Sequence, residues 1–329
     1  MTSRRLWILI LGPVPIVAAS MALSRWSRSP AQDMPLAKNH VVVRGQSPAN
    51  AATSDGEGRR GHESLPPAGT DLRKACRTTA EQLRPQLGDD CELIVHEPFV
   101  IAGDLSKRDL EQWHSRTIGP AARAMAASYF STPPSEPITV LLFSGEKSYN
   151  HYARRLFADE GVSIYGYYKP GQRVLVMNIG TGGGTLVHEL THALMDFDFP
   201  TVPDWFNEGL ASLHEQCRFR EDRSGIDGLV NWRLPILQRA LQEGELRPLA
   251  DLIRADDFRG DREGVNYAQA RYFCMYMQEQ GVLEDYFRLF RTRQKEDPLG
   301  YATVSEVFPD RSWAELDADF RAWARDLRQ

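Results

Sequence analysis

His188, Glu189 and His192 stand in the run His188-Glu189-Leu190-Thr191-His192, and their spacing has a chemical consequence. Residues four apart on an α-helix lie one above the other on the same face. Two imidazoles placed in this way can bind one divalent cation from one side and leave its other side open. A carboxylate on the residue after the first histidine then reaches a water on that cation and can take its proton. This is the arrangement of a zinc-dependent hydrolase. The flanks suit a packed helix, because Leu186, Leu190 and Leu194 give the opposite side apolar surface to bury.

A catalytic zinc takes three protein ligands and a water. The best third ligand is Glu208, in Trp205-Phe-Asn-Glu208-Gly-Leu-Ala-Ser212. Pro200 and Pro203 break the first helical pattern, and Asp204 can cap a second. Glu208 then falls in the first turns of a helix able to fold back on the histidines. A rival third ligand is Asp198, at the last position of the longer metzincin motif. That motif turns sharply at a glycine, and Met195 stands there instead, with a β-carbon that makes a left-handed turn costly.

Taken together, H-E-L-T-H and the later P-D-W-F-N-E-G-L-A-S resemble the gluzincin-type metallopeptidases, in particular the compact bacterial peptidase MA-like domains. The resemblance covers about residues 91–280. It implies that His188, His192 and Glu208 bind zinc. It also implies that Glu189 is the general base, activating a zinc-bound water to hydrolyse peptide bonds. The implied fold is α+β and zincin-like: a small mixed sheet lobe with the active-site helix, then a helical lobe, with a cleft between them. It further implies that Arg173–Ile179 is an edge strand beside the cleft, able to pair with an extended peptide. The best-known members brace a ligand histidine with an aspartate four residues after the ligand glutamate. Here that residue is Ser212, which leaves Glu215, Asn207 or another group to do so.

Hydrolysis also needs a donor for the developing oxyanion. Tyr267, Tyr165, Tyr167, Tyr168 and Arg271 are candidates. Tyr267 opens a helical segment like one that recurs in the same family. The run Tyr165-Gly-Tyr-Tyr168 reads as a substrate wall or an aromatic turn. His214 lies six residues after Glu208, on a different helix face, and reads as a surface histidine.

A chain of 329 residues, 42% hydrophobic, can bury one good core or two small ones. Its formal charge of −5 and the lack of a basic stripe argue against nucleic-acid binding. Arg4-Arg5 precede an uncharged stretch from Leu6 to Ser24, which fits a signal peptide or a membrane anchor at 1–25. The protein is therefore expected to be exported, periplasmic or extracellular, and open to anchoring through residues 6–24. Residues 26–70 are rich in Pro, Ser, Gly and charge and read as a disordered linker, with the folded domain at 71–329. Four cysteines suit an oxidising compartment, and the simplest pairing is Cys76–Cys91 with Cys217–Cys274, the latter stapling the end of the Glu208 helix to a core helix.

Periodicity predicts strands at Leu93–Ile101, Ile138–Phe143 and Arg173–Ile179. It predicts helices at Leu105–Phe130, Leu234–Glu243, Tyr267–Gln280, Leu283–Arg293 and Ser312–Arg328. The reading is an exported zinc metallopeptidase acting on a peptide or protein. The alternatives are a zinc hydrolase of a non-peptide or cell-wall amide, and a binding module that keeps the zincin fold without turnover.

Overall fold

The computed structural model describes residues 70–328 except Val162 and Arg223. The expected N-terminal targeting segment lies outside the described residues, as does the linker apart from its last residue, which begins the first helix. The fold is mixed α and β. Five strands, β1 (Glu92–His96), β2 (Phe99–Gly103), β3 (Ile138–Phe143), β4 (Gly166–Lys169) and β5 (Val174–Asn178), form one sheet in the order β1-β2-β3-β5-β4. β2, β3 and β5 run parallel, while β1 and β4 lie antiparallel at the two edges.

Helices cover both faces of this sheet, which is why its central strands read as unbroken apolar runs such as Ile-Thr-Val-Leu-Leu-Phe. Val140, Leu142, Leu175 and Met177 join the main core. The alternate residues Leu141, Phe143, Val174 and Val176 pack with Leu87, Tyr149 and Tyr152 from helices Thr70–Leu87 and Glu146–Phe157.

Three expectations about the sheet region need correction. Leu93–Ile101 is not one strand but the β1–β2 hairpin, broken at Pro98, which has no N–H to give a ladder. Leu105–Phe130 is not one regular helix. It comprises Lys107–Trp113, a π-helical turn His114–Ile118, and Gly119–Ser128. Pro120 cannot donate to the preceding turn and would crowd its carbonyls, and the wider turn, closed by Gly119 N–H on the His114 carbonyl, falls just before it. Val174–Asn178 lies inside the sheet, and the edge is taken by the aromatic segment Gly166–Lys169.

The histidine helix, Gly184–Asp198, packs against β4 and β5 and buries Leu186, Val187, Leu190, Ala193 and Leu194. Phe199 ends it, just before Pro200. The glutamate helix follows at Asp204–His214. Its N-cap is Pro203, so Asp204 lies within the first turn, where its charge favours the positive end of the helix dipole. Trp205 and Phe206 on this helix meet Phe273, Tyr286 and Phe290 from helices Glu263–Glu279 and Leu283–Arg293. The lobe is completed by helices Leu234–Gln242, Leu249–Arg254, Tyr301–Val307 and Trp313–Asp326, the last opened by a Ser312/Glu315 capping box.

All four cysteines are free thiols, so neither expected disulfide is formed. Cys76 turns its Sγ to the Pro98 carbonyl at 3.7 Å, while Cys91 packs with Tyr152 in the smaller core. Cys217 does not end the glutamate helix; it begins a short hairpin, Cys217–Phe219 with Ile226–Gly228. Cys274 lies in the main core against Gly209. Among the described residues no helix is long and apolar enough to cross a membrane.

The start of the histidine helix and the end of the glutamate helix meet backbone to backbone. A β-carbon on Gly184 would stand 2.4 Å from the Glu215 carbonyl oxygen. Gly184→Ala is therefore expected to destabilise the protein by about 1–3 kcal/mol, the usual cost of overpacking. The measurement is a lower denaturant midpoint at unchanged slope. An unchanged midpoint would contradict this close approach.

Candidate metal centre

The helix spacing does what it implied. His188 and His192 project from one face of the histidine helix, with ring centroids 4.8 Å apart and planes at 78°. Their Nε2 atoms are 3.0 Å from each other. Glu208, 3% exposed, brings Oε2 to 3.4 Å from His188 Nε2 and 3.6 Å from His192 Nε2. A tetrahedral ion with bonds of about 2.0–2.1 Å holds its ligand atoms about 3.3–3.4 Å apart. The three observed separations bracket that edge, so the residues fit one metal ion, as their grouping also indicates.

The outer nitrogens bear on how the rings are turned. His192 Nδ1 lies 2.8 Å from Asn207 Oδ1, an acceptor, so Nδ1 donates and Nε2 keeps its lone pair. His188 Nδ1 faces Glu215 Oε1 at a longer 3.4 Å. The two Nε2 atoms thus face each other across 3.0 Å. Burial works against charge on His188, but Glu208 and Glu215 outweigh it and push the His188 pKa up to about 10. The same contacts hold Glu208 well below the usual carboxylate range despite its burial.

Ser212 is fully buried, and Glu215 and Asn207 together take the bracing part that it does not. Glu215 is itself held by Arg233, through Nε at 2.9 Å and Nη2 at 2.7 Å, and by Asn231 Nδ2 at 3.1 Å. The Arg233 guanidinium lies over the Trp232 ring at 4.3 Å and the Tyr267 ring at 5.4 Å. Although burial opposes it, His188 and Arg233 lower the Glu215 pKa to about 2.

Glu189 follows His188 on the helix and is 9% exposed. It lies within electrostatic reach of His188 and of Tyr149, which comes from the helix on the far side of the sheet. Among the described residues no side chain hydrogen-bonds its carboxylate.

The structure separates the remaining candidates. Asp198 turns away: its Oδ1 accepts from Ser131 N, Thr132 N and Arg291 Nη1 at 3.1, 2.7 and 2.6 Å, and it is no ligand. Tyr267 lies beside the centre, its hydroxyl accepting from Arg259 Nη1 at 3.0 Å. Burial first, then the Glu208 charge, pushes its pKa up. Tyr168 donates to Asp196 at 2.9 Å and Tyr167 to Asp159 at 2.6 Å, so both hydroxyls tie down β4. Tyr165 is exposed at the start of that edge. Arg271 is fully buried and donates to the Leu229 carbonyl. His214 is not on the surface. It is fully buried, bound to Thr191 Oγ1 of the histidine helix at 3.0 Å, and burial and Arg271 lower its pKa to about 3. The glutamate helix buries residues on every side, so helix face alone does not tell inside from outside there.

Arg259 has no counterpart in the sequence reading. It reaches Glu208 Oε1 with Nη2 at 2.5 Å, from 51 residues away. No local pattern marks it.

A second group, His96, Glu111 and His114, also clusters. His96 Nε2 lies 2.7 Å from Glu111 Oε2. The two imidazoles stack at 3.9 Å with planes 4° apart. A metal must lie near the plane of each imidazole at about 2.0–2.1 Å from nitrogen, and parallel stacked rings cannot both meet that condition. The cluster is an imidazole stack held by a carboxylate. His114 in it is kept neutral by burial and by His96, its pKa lowered to about 4.

No protein-family model matches the chain, and no curated protein is significantly similar to it. The chemistry of the centre is therefore read from its own geometry.

Because a metal competes with protons for two imidazole nitrogens and a carboxylate, divalent-metal uptake is expected to release protons and to weaken as pH falls. Calorimetric titration in buffers of different ionisation enthalpy measures this. Heats that do not depend on the buffer would contradict the assignment.

Proposed function

We propose that the protein is a zinc metallopeptidase of the gluzincin type, with a zincin-like fold in which the sheet and helical lobes meet at the histidine helix. The observation that carries this reading is the triangle of two imidazole Nε2 atoms and one oxygen of Glu208, with edges of 3.0, 3.4 and 3.6 Å. Two nitrogens and one carboxylate oxygen at tetrahedral spacing suit zinc, with a fourth position for water or substrate. Zinc, when bound, polarises a carbonyl and lowers the pKa of water.

Each nearby residue has a part in this reading. Glu189, adjacent to a ligand and without a side-chain partner among the described residues, takes a proton from the attacking water and returns it to the leaving amine. Tyr267 is the favoured oxyanion donor, since its hydroxyl lies beside Arg259 and the Glu208 carboxylate. Arg271, Tyr167 and Tyr168 have other partners and are set aside.

A peptide substrate is favoured by the position of β4. It is an edge strand, paired on one side with β5, and Tyr168 ties it to Asp196 of the histidine helix. Its outer side can pair with an extended chain by main-chain hydrogen bonds. Ile164 and Tyr165, 49% and 39% exposed, offer apolar surface where that strand begins. Export is supported by Arg4-Arg5 and the apolar stretch after them.

Glu189→Gln is expected to cut peptide hydrolysis by at least about 10²–10⁴-fold, because glutamine keeps the shape but cannot accept the proton. Zinc content and melting should stay near wild type, whereas His188→Ala should lose the metal too. The assay is a peptide library run beside cell-wall substrates. Cleavage confined to cell-wall amides would favour the alternative hydrolase. Wild type and Glu189→Gln equally inert at stoichiometric zinc would shift the reading to a binding module.

A further inference from the structure

The glutamate ligand has two oxygens, and only one faces the histidines. Oε2 closes the triangle with the two Nε2 atoms, while Oε1 accepts a charge-assisted hydrogen bond from Arg259 Nη2 at 2.5 Å. Glu208 has a side chain 4% exposed and Arg259 one 50% exposed, so the arginine closes the carboxylate off from the solvent side.

Arg259 is held from several directions. Its Nη1 donates to Tyr267 Oη at 3.0 Å, and its Nε approaches Asp204 Oδ2 at 3.4 Å. The residues before it are pinned. Phe258 is 2% exposed, lies against the Tyr267 ring at 5.4 Å, and gives its carbonyl to the buried Asn266 Nδ2 at 2.9 Å. Asp257 is paired with both terminal nitrogens of Arg247, at 2.6 and 2.7 Å. The loop thus delivers a planar fork to one oxygen of the ligand and to the neighbouring phenol at once. A lysine, with one point charge, cannot hold that plane.

We propose that Arg259 is a positioning residue that keeps Glu208 a one-oxygen ligand, and so leaves a coordination place open for water and substrate. The inference rests on the metal-site reading above and adds a role for a residue outside the ligand set. An unrestrained carboxylate can offer both oxygens to one ion, which raises the coordination number and fills the open place. With Oε1 committed to the guanidinium, only Oε2 is left to ligate. The same bond satisfies a buried carboxylate oxygen, but that service alone would not control the coordination number.

The test uses the full-length protein, Arg259→Ala and Arg259→Lys, each stripped of metal and reloaded with Zn²⁺ or Co²⁺. Chelator competition gives zinc affinity, and the visible absorption of Co²⁺ reports coordination number, since four-coordinate Co²⁺ absorbs far more strongly than five- or six-coordinate Co²⁺. Arg259→Ala is expected to bind zinc at least as tightly, because the carboxylate loses a neighbouring positive charge and gains a second oxygen to offer. Its Co²⁺ absorption should weaken, while the metal-free protein melts as wild type does. Arg259→Lys should keep the neighbouring charge but not the wild-type spectrum. A wild-type Co²⁺ spectrum in Arg259→Ala would overturn the inference alone. Should the alanine variant fail to fold, a wild-type spectrum in Arg259→Lys would overturn it equally. A wild-type protein that takes up neither ion would overturn the metal-site reading beneath it, and this inference with it.

Discussion

The centre depends on two imidazole Nε2 atoms held 3.0 Å apart, close enough to share one cation or one hydrogen. The groups around them keep the rings turned inward. Asn207 bonds the outer nitrogen of His192, Glu215 faces that of His188 at 3.4 Å, and Arg233 fixes Glu215. Glu208 adds negative charge at the third corner, and Arg259 decides which of its oxygens faces in. These carboxylates raise the His188 pKa against the effect of its burial.

The fold supplies the stiffness this requires. The histidine helix is pressed on the sheet through Leu186, Leu190 and Leu194, and its first residue has no side chain because the Glu215 backbone occupies that space. The glutamate helix leans on the long helix Glu263–Glu279 so closely that a β-carbon on Gly209, beside the ligand, would meet the Ala270 carbonyl oxygen at 3.0 Å. Ligands from two helices are thus positioned by backbone contacts, which leave little freedom to spread the 3.0–3.6 Å triangle.

What the sequence shows is what local spacing can show. His188 and His192 are legible because a helix places residues four apart on one face, and Glu208 because two prolines force a second helix to start nearby. The α+β character and β3 follow from apolar runs of strand length. Arg259 and Arg233 are not legible, since each meets the centre only through tertiary packing and neither lies in a periodic pattern. His214 does not read as buried from helix face alone, because the helix carrying it is buried on all sides. The edge strand that the family resemblance implies at Arg173–Ile179 lies inside the sheet instead. Gly166–Lys169 is only four residues long, with a glycine and a lysine at its ends. Free cysteines likewise follow from where each thiol packs, which spacing along the chain does not reveal.

The most direct test of the centre is X-ray absorption at the zinc edge of the reconstituted protein. The account predicts one zinc with two imidazole nitrogens and light oxygen ligands, four in all, at about 2.0–2.2 Å. A sulfur shell at about 2.3 Å, or a first shell without imidazole, would contradict it.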